Sequence, residues 1–313
     1  MPPAVSVIIP ARDEAAHIER CLRSVLAQEV EGGLEVIVAD GSSDDTAERA
    51  RALGAVVVPN PERTTPHALN HALDAVQGEI VVRFDAHAEM PPGYVAACAA
   101  ALREEQGAVN VGGWRLVQGD LPWQRATGAA LASRFGVGNP RIWRRPQEGA
   151  RRVDVDTVPL GCWWTADLRR VGGWNLRFLR NQDFELNHRL RRDGGRVVFD
   201  PAVWSIYVPR PSPEALARQY WQYGLFKAAM ILEDPASLRP RQLAPVALAA
   251  AAAAAVVPSP LARPARLALA AYGAVLGGVA ARSGGGWRTA PALATMHGAW
   301  VAGLLAGLAR RGR

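Results

Sequence analysis

The chain has 313 residues, 49% of them hydrophobic and 21% charged, which excludes a disordered or low-complexity protein and supplies ample material for a buried core. Cys21, Cys98 and Cys162 are odd in number, far apart and outside any CxxC pair, which excludes a disulfide scaffold or zinc ribbon and suits a reducing compartment. The net charge of +7 is unevenly placed. Residues 235–313 hold nine Arg and no Asp or Glu, a charge of +9, so residues 1–234 carry about −2. A nucleic-acid binder would want its basic groups on the folded face, so that class is set aside.

The amino end, MPPAVSVIIPARDE, has too short an apolar run and too early a charge to read as a signal peptide. Residues 1–115 alternate between strand and helix patterns. Val5–Pro10 is a continuous apolar strand, followed by Ile18, Cys21, Leu22, Val25 and Leu26 on one helix face. Leu34–Ala39 is a second strand, with a helix from about Asp44. Val56–Pro59 is a third, followed by a helix over Ala68–Val76. Glu79–Phe84 is a fourth, followed by a helix over Tyr94–Glu104. Four such units predict a parallel sheet buried on both faces, an α/β fold of Rossmann-like type. Ligands in such sheets sit beyond the carboxyl ends of the strands. Those ends are Ala11–Glu14, Asp40–Ser43, Pro59–Arg63 and Asp85–His87, all polar or charged.

Residues 116–160 read as a long loop with one helix, Gln124–Ser133. Helices over Thr165–Val171 and Phe184–Arg192 follow, then late strands at Arg196–Phe199 and Val203–Val208, and a hinge at Pro209–Pro213. Ala215–Leu232 carries an aromatic face around Lys227 that suits a membrane interface. Three apolar stretches, Leu243–Val257, Leu267–Ala281 and Ala290–Ala309, close the chain, and only the third reaches the roughly 20 residues of a bilayer span. Their lack of acidic residues favours membrane helices; the alternative is alanine-rich soluble helices packed on the body. The organisation expected is a catalytic domain over 1–208, an interfacial helix over 209–234 and two or three membrane-associated helices over 235–313.

Phe84-Asp85-Ala86-His87 is the sharpest local feature. A carboxylate and an imidazole two residues apart, past a strand end, can face one Mn²⁺ or Mg²⁺ whose shell is completed by phosphate oxygens and water. The bland reading makes Asp85 a turn cap and His87 a surface residue. An inward Asp40 could accept from a nucleobase N–H, or it could simply serve the helix cap of its loop; Ala11-Arg12-Asp13-Glu14 would add a charged wall, and Arg63 could meet a diphosphate. Asp183 opens a helix, either as its cap or as a general base held ionised there. Trp163-Trp164 are core residues or a sugar-stacking wall.

VSVIIPARDE, VIVADGSSDDT, VVRFDAHAEM and RNQDFELNHRLRRDGG, in that order over roughly residues 5–200, resemble the family 2 glycosyltransferases of the nucleotide-diphospho-sugar transferase (GT-A) fold. The NPERTTPHALN, FDAHAEMPPGYV, FGVGNPR and RQYWQYGLFKA segments resemble bacterial exopolysaccharide enzymes of the succinoglycan-biosynthesis type. The resemblance implies a metal-dependent, inverting hexosyltransferase using a UDP-, GDP- or TDP-linked sugar and a lipid-linked or saccharide acceptor. It implies that Pro10, Ala11, Arg12 and Glu14 line the nucleotide site, with Asp40 at the base; Asp85, and Arg63 from the residue reading, are expected beside the diphosphate. Asp85 and His87 would bind the metal, Asp183 would be the catalytic base, and Trp163, Trp164 and Gln182 would face the acceptor. Gln182 stands where the family's pattern has Glu, and the Gln-x-x-Arg-Trp signature of processive synthases is missing, which favours one sugar per encounter. It implies a cytoplasmic-membrane protein with its catalytic domain in the cytosol. A nucleotidyltransferase and a non-catalytic nucleotide-sugar-binding membrane protein are the alternatives; the first would want a Gly-rich loop after strand one, and ARDEAAHIER has no glycine.

Overall fold

The computed structural model describes residues 3–136 and 140–310. It divides into two compact units, one formed by residues 1–116 and 145–207 and the other by 117–144 and 208–313. Residues 117–144 therefore group with the C-terminal helices and not with the expected 1–208 domain. Of the FGVGNPR segment, Val137, Gly138 and Asn139 lie outside the described residues.

The first unit is built on an eight-stranded sheet. Its strands are β1 (Val5–Ala11), β2 (Leu34–Asp40), β3 (Val56–Pro59), β4 (Ile80–Arg83), β5 (Ala108–Val117), β6 (Val153–Asp154), β7 (Cys162–Trp164) and β8 (Arg196–Tyr207), in the order β3-β2-β1-β4-β7-β5-β8-β6. β1 pairs in parallel with both β2 and β4, and β2 with β3. β7 enters antiparallel between β4 and β5, and β6 pairs antiparallel with β8. The sheet is mixed, with its parallel half where the four expected units fall.

Alternation along the strands sorts side chains into two layers. Val5, Val7, Ile9, Val36, Val38, Ile80, Val82 and Phe84 face α1 (Ile18–Leu26), α2 (Thr46–Ala52) and α4 (Tyr94–Glu104). Ile8, Ile37, Ala39 and Val81 face α3 (Thr65–Ala75), α6 (Thr165–Arg170) and α7 (Gln182–Arg192). By the same alternation Arg83, two residues after Val81, lies on the α7 side. A buried amide chain ties α7 to the sheet: Asn110 donates to Asn187 at 2.6 Å, Asn187 donates to Thr157 at 2.8 Å, and the Cys162 N–H donates to Asn110 at 3.0 Å.

Three strands escape the sequence reading: β5, the two-residue β6 and β7. β5 contains Gly112–Gly113, which interrupt the apolar pattern, yet a Cβ at Gly113 would come within 1.7 Å of the Val203 carbonyl, so glycine is what lets β5 and β8 approach there. β7 has only three residues, too few to show a period. β8 is one 12-residue strand where two were expected, because Asp200-Pro201 reads as a break. Its Asp200 carboxylate accepts from the Ala202 N–H at 2.7 Å across that proline.

The second unit contains α5 (Pro122–Ala132), a short 3₁₀ turn at Pro140–Trp143, and α8 (Pro213–Glu233), α9 (Leu243–Val256), α10 (Ala262–Arg282) and α11 (Thr289–Ala309). α8 gives one face to α11: a Cβ at Gly224 would lie 2.0 Å from the Trp300 carbonyl, and one at Gly303 would lie 2.0 Å from that of Trp221. Lys227 is buried in this unit and donates to the Ser237 carbonyl at 2.7 Å. α10 is longer than expected, at 21 residues, because the helix starts ahead of the apolar run and includes Arg263 and Arg266. It and residues 286–309 are both long and apolar enough to cross a membrane.

All three cysteines are buried in the first unit. Burial, reinforced by the nearby charges of Asp85 and Glu14, pushes the Cys21 thiol up to about 12. The native protein at pH 8 should therefore resist alkylation at all three thiols, while the denatured chain reacts at three; mass spectrometry after iodoacetamide treatment reads the difference.

Candidate active site

The loops after β1, β2 and β3 interlock at the carboxyl end of the parallel strands. The Asp13 N–H donates to Ser42 Oγ at 2.8 Å, the Glu14 N–H to Thr46 Oγ1 at 2.9 Å, and the Ala15 N–H to Asp44 at 3.2 Å. In return, the Ser43 N–H donates to the Asp13 carboxylate at 2.9 Å, and this bond holds that carboxyl below its ordinary range. Asp13 and Arg63 both take positive φ, near 55°, a conformation side chains seldom adopt outside tight turns.

Of the residues expected at the nucleotide site, Pro10, Ala11, Arg12, Glu14, Asp40 and Arg63 sit at these three strand ends, and Asp85 follows β4. Pro10 and Ala11 end β1 beside Ala39 and Asp40 of β2. Arg12 reaches the Arg63 carbonyl at 3.3 Å, and Arg63 reaches Asp13 at 3.4 Å and Ser43 at 3.3 Å. The Asp40 carboxylate is engaged by Ser42 through both its hydroxyl, at 2.6 Å, and its N–H, at 3.2 Å. Asp40 does not cap α2; that end is shaped by Thr46 and Asp44. Glu14 Oε1 lies 3.1 Å from Nδ1 of an exposed His87, which joins the β1 loop to the Asp85-Ala86-His87 turn.

The residue that organises the rest is Arg83, not singled out by the sequence reading. It is the last residue of β4 and is only 6% exposed. Its guanidinium donates to Asp85 Oδ1 at 3.0 Å through one terminal nitrogen and, through the other, to both oxygens of Asp183. Burial weighs against the guanidinium's charge, but Asp183 and then Asp85 outweigh it and move Arg83 further from deprotonation. Burial would likewise raise the Asp85 carboxyl, yet the charges of Arg83, His87 and Arg115 hold it below its ordinary range. Asp85 and Asp183, 98 positions apart in sequence, thus share one cation.

Asp183 is no helix cap. Asn181 occupies that position, with positive φ and no side-chain capping bond, and leaves Asp183 in the first turn of α7 with its carboxylate turned to Arg83 of the sheet. The indole N–H of the buried Trp174 reaches Asp183 Oδ1 at 3.4 Å. Trp174 is itself clamped by Asn70 of α3, which accepts from its backbone N–H and donates to its carbonyl, both at 2.8 Å. Arg83 could have been found from sequence by noting an arginine inside an otherwise apolar strand, on the same face as Val81; Trp174, in a loop, carries no such signal.

The expected acceptor wall is not where the sequence placed it. Trp163 is 0% exposed and packs edge-on against Trp174, so it has no surface for a sugar. Trp164 points to the opposite layer and donates to the Ala108 carbonyl at 3.2 Å. Both pair with the amino-terminal end of β4, Trp164 with Ile80 and Trp163 with Val81, while Asp85 lies past the other end. Gln182 is 7% exposed and offers little to a ligand.

No group of three or more His, Cys, Asp or Glu among the described residues is arranged to hold a metal. Asp85 and His87 carry oxygen and imidazole donors of the kind that would suit Mn²⁺ or Mg²⁺.

The sequence model of glycosyl transferase family 2 matches residues 6–170. The chain is 28% identical over 253 residues to the succinoglycan biosynthesis protein ExoA of Rhizobium meliloti, covering 78% of this chain and 74% of that one. It is 24% identical over 242 residues to the dolichyl N-acetyl-alpha-D-glucosaminyl phosphate 3-beta-D-2,3-diacetamido-2,3-dideoxy-beta-D-glucuronosyltransferase of Methanococcus voltae, covering 72% of this chain and 74% of that one. Among solved structures, the mannosyltransferase PcManGT of Pyrobaculum calidifontis, in complex with GDP-Man and Mn²⁺, aligns with a TM-score of 0.67 over 98% of this chain and 88% of that one, at 24% identity. S. aureus TarS 1–349 aligns with a TM-score of 0.55 over 100% and 92%, at 16% identity. These alignments establish the GT-A fold for this chain.

Replacing Arg83 by Met would leave two neighbouring carboxylates without their cation. The variant should lose roughly 3 kcal/mol of stability in urea unfolding, the lower end for a broken buried pair because both carboxylates keep some exposure. Arg83→Lys keeps the charge but cannot span both partners and should lose less.

Proposed function

We propose that this glycosyltransferase, a chain that belongs to glycosyl transferase family 2, moves a sugar from a nucleotide-diphospho-sugar to a saccharide or lipid-linked acceptor with inversion at the anomeric carbon. The observation that carries this reading is the Arg83 bridge, which holds Asp85 and Asp183 at one strand end. On this reading, the nucleotide lies over Pro10, Ala11, Arg12 and Glu14, with Asp40 toward its base and Arg63 toward its phosphates. Asp85 and His87 would hold Mn²⁺ or Mg²⁺, and the ion, when bound, would neutralise charge developing on the leaving diphosphate.

Asp183 is the base. It accepts the proton of the acceptor hydroxyl as that oxygen bonds to the anomeric carbon. The hydroxyl needs no strong base, because it becomes acidic only as the bond forms; what matters is an ionised carboxylate held in one place. Arg83 and Trp174 hold it, and the amino-terminal end of α7 favours its charge. The Mn²⁺ and GDP-Man of the Pyrobaculum calidifontis structure support the donor and metal class. The name of the Rhizobium meliloti relative supports a role in exopolysaccharide synthesis.

Donor turnover by the purified full-length chain with Mn²⁺ tests the assignment. Asp183→Asn should lower kcat by about 10²–10⁴ while donor binding persists. Asp85→Ala should abolish the Mn²⁺-dependent part of donor binding. Wild-type turnover in both variants would exclude these roles, and donor binding by the wild type without any turnover would favour a binding protein.

The two apolar helices and the acid-free tail support a further part of the reading, that the chain resides in the cytoplasmic membrane with its catalytic unit on the cytosolic side, where nucleotide sugars are made. The protein should stay in the membrane pellet through alkaline carbonate extraction, and residues 1–116 should be open to protease in inverted vesicles. Release by carbonate, or protection in inverted vesicles, would contradict it.

A further inference from the structure

The second unit contains a cleft of about 840 Å³ between α5 and the carboxyl-terminal half of α10. Its walls are small and apolar: Ala129 and Ala132 on one side, Val275 and Val279 on the other. Three arginines, Arg134, Arg144 and Arg282, line the same cleft, and no carboxylate does. Each is anchored by a single described contact. Arg144 donates through Nε to the Ala132 carbonyl, Arg282 through Nη1 to the Gly278 carbonyl at 3.5 Å, and the Arg134 guanidinium lies 4.7 Å from the Phe135 ring centre.

Basic side chains at helix carboxyl ends ordinarily balance the helix dipole. That accounts for one N–H of Arg144 and one of Arg282. It does not account for three guanidinium groups, each with a fork of further donors, meeting at one apolar cleft without an acidic partner among the described residues. Nor can the tail supply one, since residues 235–313 contain no Asp or Glu. The complement to apolar walls and a cationic lining is a hydrocarbon chain carrying an anionic head. α10 is itself long and apolar enough to cross a bilayer, so a bilayer lipid is the molecule within its reach.

We propose that this cleft binds an anionic phospholipid, with the phosphate on Arg134, Arg144 and Arg282 and an acyl chain along α5 and α10. The site rests on the membrane association proposed above and is independent of the transfer reaction. Its geometry is that of a basic pocket beside a candidate membrane helix, and it lies wholly within the second unit.

Native mass spectrometry of the full-length chain in neutral detergent, titrated with dioleoyl phosphatidylglycerol or dioleoyl phosphatidylcholine, tests the site. The phosphatidylglycerol should be retained saturably and the phosphatidylcholine should not. The triple variant Arg134→Gln, Arg144→Gln, Arg282→Gln should weaken retention by at least about tenfold. Gly278→Leu should also weaken it by filling the cleft; a Cβ there meets only the flexible end of Arg282, at 3.4 Å, so the helix tolerates the change. Equal retention of the two lipids, or unchanged retention in both variants, overturns the site. Tighter retention of farnesyl phosphate than of phosphatidylglycerol, or equal thermal stabilisation by inorganic phosphate alone, overturns the choice of a phospholipid. Carbonate extraction reports on membrane residence separately, so a failed lipid site and a failed membrane reading give different results.

Discussion

A buried guanidinium at the end of a central strand is the constraint on which this site depends. Taking Arg83 out of water costs several kcal/mol unless its charge and its N–H groups are matched. The match comes from two carboxylates on different elements, one on the turn after β4 and one on the first turn of α7. The pairing therefore does more than satisfy a cation. It fixes where α7 begins relative to the strand and aims Asp183 at the same strand end as Asp85. Trp174, held from both sides by Asn70, and the Asn110–Asn187–Thr157 chain brace α7 from two further directions. A carboxylate fixed from three sides loses little more freedom when substrate arrives, which is the geometric form that preorganisation takes.

The loops proposed for the donor are made differently. They are bound to one another more than to the core, with Asp13, Ser42, Ser43, Thr46 and Arg63 exchanging hydrogen bonds across three strand ends. Both positive-φ side chains of this region, Asp13 and Arg63, belong to that exchange and touch each other. The strain is held by mutual bonding near the surface, where loops can be shaped for a ligand without disturbing the layers beneath. His87, exposed and set against Glu14, is the point at which this loop system meets the Arg83 bridge through Asp85.

Much of the fold was legible because burial writes a period into sequence. The parallel half of the sheet, its helices and the polar strand ends follow from apolar runs and i, i+3, i+4 spacing. What escaped was short, glycine-broken or long-range. β7 enters between β4 and β5 with three residues, and β5 carries two glycines whose meaning is the Val203 carbonyl beside them. The tryptophan pair shows the same limit in the site. Residue type suggested a stacking wall, but a strand turns neighbours to opposite faces, and β7 lies toward the amino end of β4. Asp183 was legible as a helix-opening acid; its actual partner, 100 positions earlier, was not.

The C-terminal helices raise a different question of what alanine can do. Alanine and glycine bury little surface, so a helix made of them gains little from packing unless backbones come close. α8 and α11 do so: Gly224 lies against the Trp300 carbonyl, and Gly303 and Gly307, four apart on one face, lie against Trp221 and Leu225. Small residues at that spacing are the means by which helices associate where lipid, not water, is the competing solvent. α10 has no such partner over most of its length; only four of its residues are buried, and Leu267 is 72% exposed. In water that exposure would be a liability on a helix of 21 residues. Against hydrocarbon it costs nothing, and the three arginines of α10 stand in its first two turns and at its last residue, where long side chains can reach a lipid interface. Packing by glycine in α8–α11 and exposure of leucine in α10 are both arrangements that a bilayer would favour, and they support the membrane reading proposed for this unit.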